Sequence, residues 1–132
     1  MLPQKTRPVG WVFRAMVTVH VVVVVALPVF AGVYLSGDYD SLGRHALAAD
    51  VAAVVGYLQL AVAIAMWVRL RTMWPLAATV LIVAAETAQY FAGLDGALWL
   101  HIPLGVMIVA ALVVQFISVW SHPLTRRVAV DA

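Results

Sequence analysis

The 132-residue sequence contains no cysteine and few charged residues. The absence of cysteine excludes disulfides, thiolate metal sites, iron–sulfur clusters, covalently attached c-type haem and a cysteine nucleophile. Charged residues make up 11% of the chain, whereas a soluble domain carries roughly 25%. Hydrophobic residues make up 65%, and a soluble protein this apolar could not cover its surface with polar groups. The composition therefore indicates that a lipid bilayer surrounds the chain.

Four apolar segments are each long enough to cross a bilayer as a helix. Crossing the hydrocarbon layer of about 30 Å takes about 20 helical residues. Segments of this kind lie at 11–35, 45–70, 73–94 and 97–120. Because short loops join them, residues 1–132 are predicted to form a single all-α bundle of four transmembrane helices, with no second domain.

The distribution of basic residues predicts the orientation of the bundle. Seven of the eight Lys and Arg residues lie on the side that carries both termini: Lys5, Arg7, Arg14, Arg69, Arg71, Arg126 and Arg127. Only Arg44 lies on the other side. The positive-inside rule therefore predicts that both termini face the cytoplasm, in a bacterial inner membrane. Since these basic residues sit at helix ends, the net charge of +2 gives no reason to expect a nucleic-acid partner.

The two halves of the sequence resemble each other. The matching pairs are the Phe-Ala-Gly triplets at 30–32 and 91–93, His45 and His101, and Gln59 and Gln115. In each half a short loop follows the triplet, the histidine begins the next helix, and the glutamine comes 14 residues later. This repeat predicts two helical hairpins related by a pseudo-two-fold axis along the membrane normal. His45 and His101 would then face each other across that axis.

His45 and His101 are predicted to be the axial ligands of one b-type haem. Such a haem takes two neutral imidazoles from opposite helices. Both histidines begin helices that run in the same direction, so both are expected at a similar depth near the outer face. Ala49 and Gly105 each follow a histidine by four residues, and their small side chains leave room for the macrocycle on the same helix face.

Three further residues are predicted to adjoin this haem. Gly32 and Gly93 would let the ends of the first and third helices approach the ring edge. Arg44, the only basic residue on the outer side, could pair with a propionate. Two alternatives stay open: both histidines could be interfacial residues between loop and helix, or they could bind a small metal ion whose other ligands are not evident.

Two segments of the sequence resemble a known family. The segments GRHAL at 43–47 and LHIPLG at 100–105 resemble parts of haem A synthase, which is built from two four-helix bundles. In that family, histidines that open the second and fourth helices of a bundle bind haem, and the resemblance covers most of the present chain. The outline is also similar to small single-bundle proteins of high-GC bacteria. The chain has only one bundle, and Leu42 stands where the synthase family has a glutamate. The resemblance therefore implies haem b at His45 and His101, and not the synthase reaction.

Ionisable residues inside the predicted helices form a second set of candidates. Glu86 lies deep in the third helix, where a carboxylate is destabilising by about 3 kcal/mol or more, so it is expected to face the interior. Gln89 and Tyr90 share its helix face and are its expected hydrogen-bond partners. Glu86 and Asp50 could accept protons; alternatively, Glu86 joins helices as a protonated acid and Asp50 reaches water.

Two more polar residues belong to the first predicted helix. His20 is expected to form an interhelical hydrogen bond, to Thr18 or to a backbone carbonyl, and is a further candidate for a polar or proton-binding site. Arg14 is expected to extend toward the headgroups on the cytoplasmic side.

Three functions are consistent with these patterns. The first is a small cytochrome b-like protein that transfers electrons or handles haem. The second is an accessory subunit without a cofactor, within a larger membrane complex or a homo-oligomer. The third is a small transporter that uses Glu86 and Asp50. The sequence leaves open whether the protein catalyses any reaction.

Overall fold

The computed structural model describes residues 6–125, and four α-helices account for most of them. The helices are α1 (Pro8–Leu35), α2 (Ser41–Leu70), α3 (Trp74–Leu94) and α4 (Leu98–Ser121). Each is long and apolar enough to cross a membrane. The prediction of four spanning helices is confirmed, with every boundary within four residues of the expected position. Three of the basic residues used to predict the orientation, Lys5, Arg126 and Arg127, lie outside the described residues.

Local sequence signals explain where the helices begin and end. Pro8 begins α1, where its missing N–H group is not needed for a helical hydrogen bond. Gly37 and Gly96 follow α1 and α3 with φ angles of 106° and 69°, a region that only glycine adopts readily. These two glycines allow the chain to reverse direction within short loops. The left-handed conformation of Arg71 ends α2 in the same way.

The helices are arranged in a ring in chain order. Each helix packs against its two neighbours, whereas within residues 6–125 the diagonal pairs, α1 with α3 and α2 with α4, make no close backbone contact. We call the end with the α1–α2 and α3–α4 loops the hairpin end, and the opposite end the terminal end. At the terminal end the Arg7 amide donates a hydrogen bond to the Leu124 carbonyl at 3.3 Å.

The terminal end is closely packed around a buried arginine. The Arg14 side chain donates hydrogen bonds to the carbonyls of Val119 at 2.7 Å and His122 at 3.0 Å. Its guanidinium group also lies 4.7 Å from the ring centre of Trp11 and 5.2 Å from that of Trp120. Instead of extending outward as expected, Arg14 therefore packs inward, because the last carbonyls of α4 need donors and carry partial negative charge.

The outward surface of the bundle is apolar along all four helices. Exposed side chains on this surface include Val22, Leu47, Leu81 and Ile117, one from each helix. A water-soluble monomer rarely exposes contiguous apolar surface of this extent. The surface is suited to contact with lipid acyl chains.

Candidate functional site

His45 on α2 and His101 on α4 approach each other across the bundle near the hairpin end. Their ring centres are 6.1 Å apart, and both side chains are half-buried. Because α2 and α4 are diagonal helices, the two rings lie across the bundle interior from each other. The structure thus brings together the two histidines that the sequence repeat pairs.

Each histidine is held by a backbone carbonyl of a neighbouring helix. The Nδ1 atom of His45 lies 3.0 Å from the Leu27 carbonyl oxygen of α1, and that of His101 lies 2.9 Å from the Gln89 carbonyl oxygen of α3. A carbonyl oxygen only accepts, so each Nδ1 must carry the hydrogen and donate it. In the neutral ring this leaves a free lone pair on Nε2. Histidines that bind metals through Nε2 are commonly held in this way.

A cavity of about 690 Å³ lies between the hairpin-end halves of the four helices. Its wall includes both histidines, together with Ala49, Gly105 and Glu86. Most of the remaining wall is aliphatic, as at Val24 and Ile108. Cavities that hold cofactors are commonly about 300–1,000 Å³ and mainly apolar, with a few placed polar groups. The size and lining of this cavity are therefore within the range of sites that bind small, largely apolar molecules.

The three glycines predicted to adjoin the haem differ in how closely other atoms approach them. A Cβ atom added at Gly93 would lie 2.9 Å from Cε1 of His101, so the absence of a side chain there leaves room for the imidazole. A Cβ atom added at Gly105 would lie 2.6 Å from Nε2 of Gln89, whose amide occupies that space. Gly32 has no neighbouring atom within 4 Å of an added Cβ in the described part of the chain.

Arg44 lies outside the cavity wall. Its side chain is exposed, and Nη1 is 3.8 Å from Oδ2 of Asp38. An exposed pair at this distance contributes little to stability. The guanidinium group therefore remains able to contact an anionic group at the hairpin end.

A fully hydrogen-bonded polar cluster lies nearer the terminal end. Gln59 Nε2 donates to Gln115 Oε1 at 3.0 Å and to the Thr79 hydroxyl at 3.3 Å. Gln115 Nε2 donates to the same hydroxyl at 2.9 Å, and that hydroxyl donates to the Pro75 carbonyl at 2.8 Å. All three polar side chains are buried. The two glutamines that match in the repeat thus bind each other directly and join α2 to α4.

His20 and Glu86 extend this cluster toward the cavity. His20 is fully buried, with Nδ1 at 3.0 Å from Gln59 Oε1 and Nε2 at 2.8 Å from Glu86 Oε1. Glu86 keeps 13% of its side chain exposed and forms part of the cavity wall. This contact connects the diagonal helices α1 and α3 through their side chains.

These contacts differ from those expected for both residues. The Thr18 hydroxyl donates to the Arg14 carbonyl of its own helix at 2.8 Å, and the Tyr90 hydroxyl donates to Asp50 Oδ1 at 2.8 Å. The pairing of His20 with Glu86 has a simple cause, since ionisable groups inside a membrane are best stabilised by one another. That rule, applied to the sequence, could have suggested the pair.

The donor set that the structure brings together at this point consists of the two imidazoles of His45 and His101. Structural zinc sites take four protein ligands and catalytic ones usually three. No group of three or more His, Cys, Asp or Glu side chains close enough to hold a metal ion occurs between residues 6 and 125. Two imidazoles alone are fewer protein ligands than such zinc sites take.

Comparison with known proteins adds no family for this chain. No protein-family model, curated protein or solved structure matches it. The resemblance to haem A synthase therefore remains a prediction, and a function for the site has to come from its own residues and their geometry.

Proposed function

We propose that the chain is a small membrane cytochrome of the b type, in which His45 and His101 are the axial ligands of one haem. The observation that carries this proposal is the distance of 6.1 Å between the two ring centres. A metal–imidazole bond is about 2 Å long, and a ring centre lies about 1 Å beyond the nitrogen, so two imidazoles on one iron have centres about 6 Å apart.

The tautomers of the two histidines support the same ligand assignment. With both Nδ1 atoms donating to backbone carbonyls, the two Nε2 atoms are the ones left to bind iron. The carbonyls also fix the orientation of each ring and raise its basicity. Both acceptors are backbone carbonyls of neighbouring helices, so no side-chain rotation can break these two hydrogen bonds.

The cavity supports haem in preference to a smaller ligand. Its volume of about 690 Å³ and its largely aliphatic wall suit an apolar macrocycle. Bound haem would supply reversible one-electron oxidation and reduction at its iron. With both histidines bound to the iron, no position would be left on it for a substrate. The chemistry therefore favours electron transfer or haem handling over catalysis.

The orientation is part of the proposal. With both termini in the cytoplasm, the hairpin end is at the outer face of a bacterial inner membrane and the haem lies close to that face. Arg44, exposed at this end, is then placed to pair with an anionic propionate. The matched contacts of His45 and His101, and the direct contact of Gln59 with Gln115, support a pseudo-two-fold relation between the hairpins.

The test is the visible spectrum of protein purified from haem-replete cells. We expect one haem per chain, with the bands of a six-coordinate low-spin iron. His45→Ala and His101→Ala, made singly, should each abolish that spectrum. His122→Ala is the matched control, since within residues 6–125 its Nδ1 bonds to the Ser118 carbonyl at the terminal end, away from the cavity. If both cavity variants keep the wild-type spectrum, the ligand assignment is wrong.

A second candidate function has one observation in its favour. Glu86 and Asp50 both line the cavity, as a small proton- or cation-coupled transporter would require. A colourless wild-type protein would favour this function, or that of an accessory subunit in a larger complex, over the cytochrome.

A further inference from the structure

The positions of the hydrogen atoms in the buried polar cluster follow from its donors. Gln59 Nε2 gives its two hydrogens to Gln115 and to Thr79, so the amide oxygen of Gln59 is the atom that faces His20. An amide oxygen only accepts hydrogen bonds. His20 must therefore carry a hydrogen on Nδ1 and donate it to Gln59.

This assignment determines what lies between His20 and Glu86. When the His20 ring is neutral, Nε2 has a lone pair, and a Glu86 carboxylate also offers only lone pairs. Two such atoms at 2.8 Å would repel each other. In the described residues, His20 Nε2 and both Glu86 oxygens have no other hydrogen-bond partner. The geometry is therefore that of a pair holding one proton between Nε2 and Oε1.

Glu86 gives this proton a route to the cavity. Its side chain forms part of the cavity wall, whereas His20 is fully buried. Gly56 leaves room for the pair, since an added Cβ would lie 2.8 Å from Glu86 Oε2 and 3.2 Å from His20 Cε1. The polar atoms of the pair are thus buried, and the Glu86 side chain is the part of the pair that borders the cavity.

We propose that His20 and Glu86 form one proton-binding site that is protonated when the haem iron is reduced and deprotonated when it is oxidised. This inference rests on the proposed function. An oxidised haem centre carries one positive charge that the Glu86 carboxylate offsets, and the reduced centre carries none. A proton taken up on reduction keeps the net charge of the bundle interior at zero in both states, which avoids an uncompensated buried charge.

The chain's own part in this step is the binding and release of one proton. With haem bound, its reduction would take one electron from a one-electron donor, and one proton from water would bind between Nε2 of His20 and Oε1 of Glu86. No other bond would form or break. On oxidation the electron would pass to an acceptor and the proton would return to water.

Other titratable groups also line the cavity and could compete for the proton. They are His45 and His101, Asp50, and the phenols of Tyr57 and Tyr90. One nitrogen of each cavity histidine donates to a carbonyl, and with haem bound the other would be held by iron. Tyr57 is hydrogen-bonded to Thr87 at 3.0 Å. Asp50 is the strongest competitor, although it is exposed and already accepts a hydrogen bond from Tyr90.

The first test is a redox titration of the haem-loaded protein at several pH values. In the wild type, uptake of one proton per electron should change the ratio of reduced to oxidised haem tenfold per pH unit, which for one electron is a potential about 59 mV lower per unit rise in pH. Glu86→Gln should keep the low-spin spectrum and lose this slope. Asp50→Asn, the matched control on the same cavity wall, should keep it. A flat wild-type potential, a slope that survives in Glu86→Gln, or one lost in Asp50→Asn would each overturn the inference.

The second test does not depend on haem. An infrared difference spectrum between low and high pH should contain, in the wild type and in Asp50→Asn, a band of protonated Glu86 or of a protonated His20 ring that is lost in Glu86→Gln; the bands of exposed carboxyl groups are common to all three proteins. Identical difference spectra for the wild type and Glu86→Gln would overturn the proton site whether or not haem is bound. A wild type without haem would overturn the proposed function and the redox linkage. A bound haem with a pH-independent potential would overturn the linkage alone and leave the cytochrome intact.

Discussion

Helices α2 and α4 meet at two levels in two different ways. At Gln59 and Gln115 the side chains bind each other directly, with a hydrogen bond of 3.0 Å. At His45 and His101, which lie 14 residues closer to the hairpin end, the ring centres stay 6.1 Å apart beside a cavity of about 690 Å³. Polar pairs with identical spacing on the same two helices therefore do different things: one joins the helices, and the other leaves a gap between them.

The difference lies in how completely each pair is satisfied. The glutamines and Thr79 use their donors and acceptors on one another and on nearby groups. Each cavity histidine uses only Nδ1 within the described residues, on a carbonyl of a neighbouring helix. The Nε2 atom of each ring is left free to bind a ligand. Iron bound between the two Nε2 atoms would use both of them, whereas the glutamine level needs no ligand.

The largest loss of stability is expected from a substitution at the level of the two glutamines. Gln59→Ala removes the partner of His20 Nδ1, the donor to Gln115 Oε1 and one of the two donors to the Thr79 hydroxyl. The free energy of unfolding should therefore fall by about 3 kcal/mol. Unfolding of haem-free protein in mixed detergent micelles, followed by circular dichroism, measures this change. The haem spectrum of the folded fraction should keep its six-coordinate form.

His45→Ala is the matched variant at the other level. It removes a single hydrogen bond to a carbonyl, so haem-free protein should lose only about 1 kcal/mol. The low-spin spectrum should nevertheless disappear. The contrast between the two levels would not hold if Gln59→Ala and His45→Ala lost equal stability, or if both lost or both kept the low-spin spectrum.

The two Phe-Ala-Gly triplets provide a second, smaller comparison. Gly93→Ala places a Cβ atom 2.9 Å from His101 Cε1, so the ring must shift, which should lower stability by about 1–2 kcal/mol and weaken haem binding. Gly32→Ala meets no atom within 4 Å in the described residues and should be neutral or slightly stabilising, because alanine favours a helix. Haem content per chain, measured for Gly93→Ala and for Gly32→Ala, tests the expected difference in haem binding. Equal losses in the two variants would show that the close contact at His101 is unimportant.

The smallest expected effect concerns the side of the cavity between α2 and α3. Tyr57→Phe removes the hydrogen bond of 3.0 Å to Thr87 on an exposed face. Interhelical hydrogen bonds in membrane proteins contribute about 0.6 kcal/mol on average, so the unfolding free energy should fall by no more than this. The visible spectrum should not change, and a change would mean that Tyr57 contributes to the site itself.

Much of this fold could be predicted from the sequence because the relevant signals are local or repeated. Apolar length identified the four helices, and the repeat paired His45 with His101 and Gln59 with Gln115 before the structure placed each pair together. Helix boundaries were less accurate: α2 begins at Ser41, so His45 lies a full turn inside the helix rather than at its start.

The remaining contacts depend on how each helix is rotated about its axis. These helices are apolar on nearly every face, so no hydrophobic stripe shows which side is buried. The direction of Arg14 and the pairing of His20 with Glu86 across the bundle were for that reason not predicted. The position of the Gln89 amide against Gly105 likewise depends on a side-chain conformation that the spacing of residues does not determine.

The most direct test of the central claim is rescue of a ligand variant by free imidazole. His101→Gly should lose the six-coordinate low-spin spectrum of the wild type, and millimolar imidazole should restore it by binding iron in the space that the side chain leaves. His122→Gly should show the wild-type spectrum with or without imidazole. A His101→Gly protein that keeps the wild-type spectrum, or one whose lost spectrum imidazole does not restore, would contradict the assignment of His101 as an axial ligand.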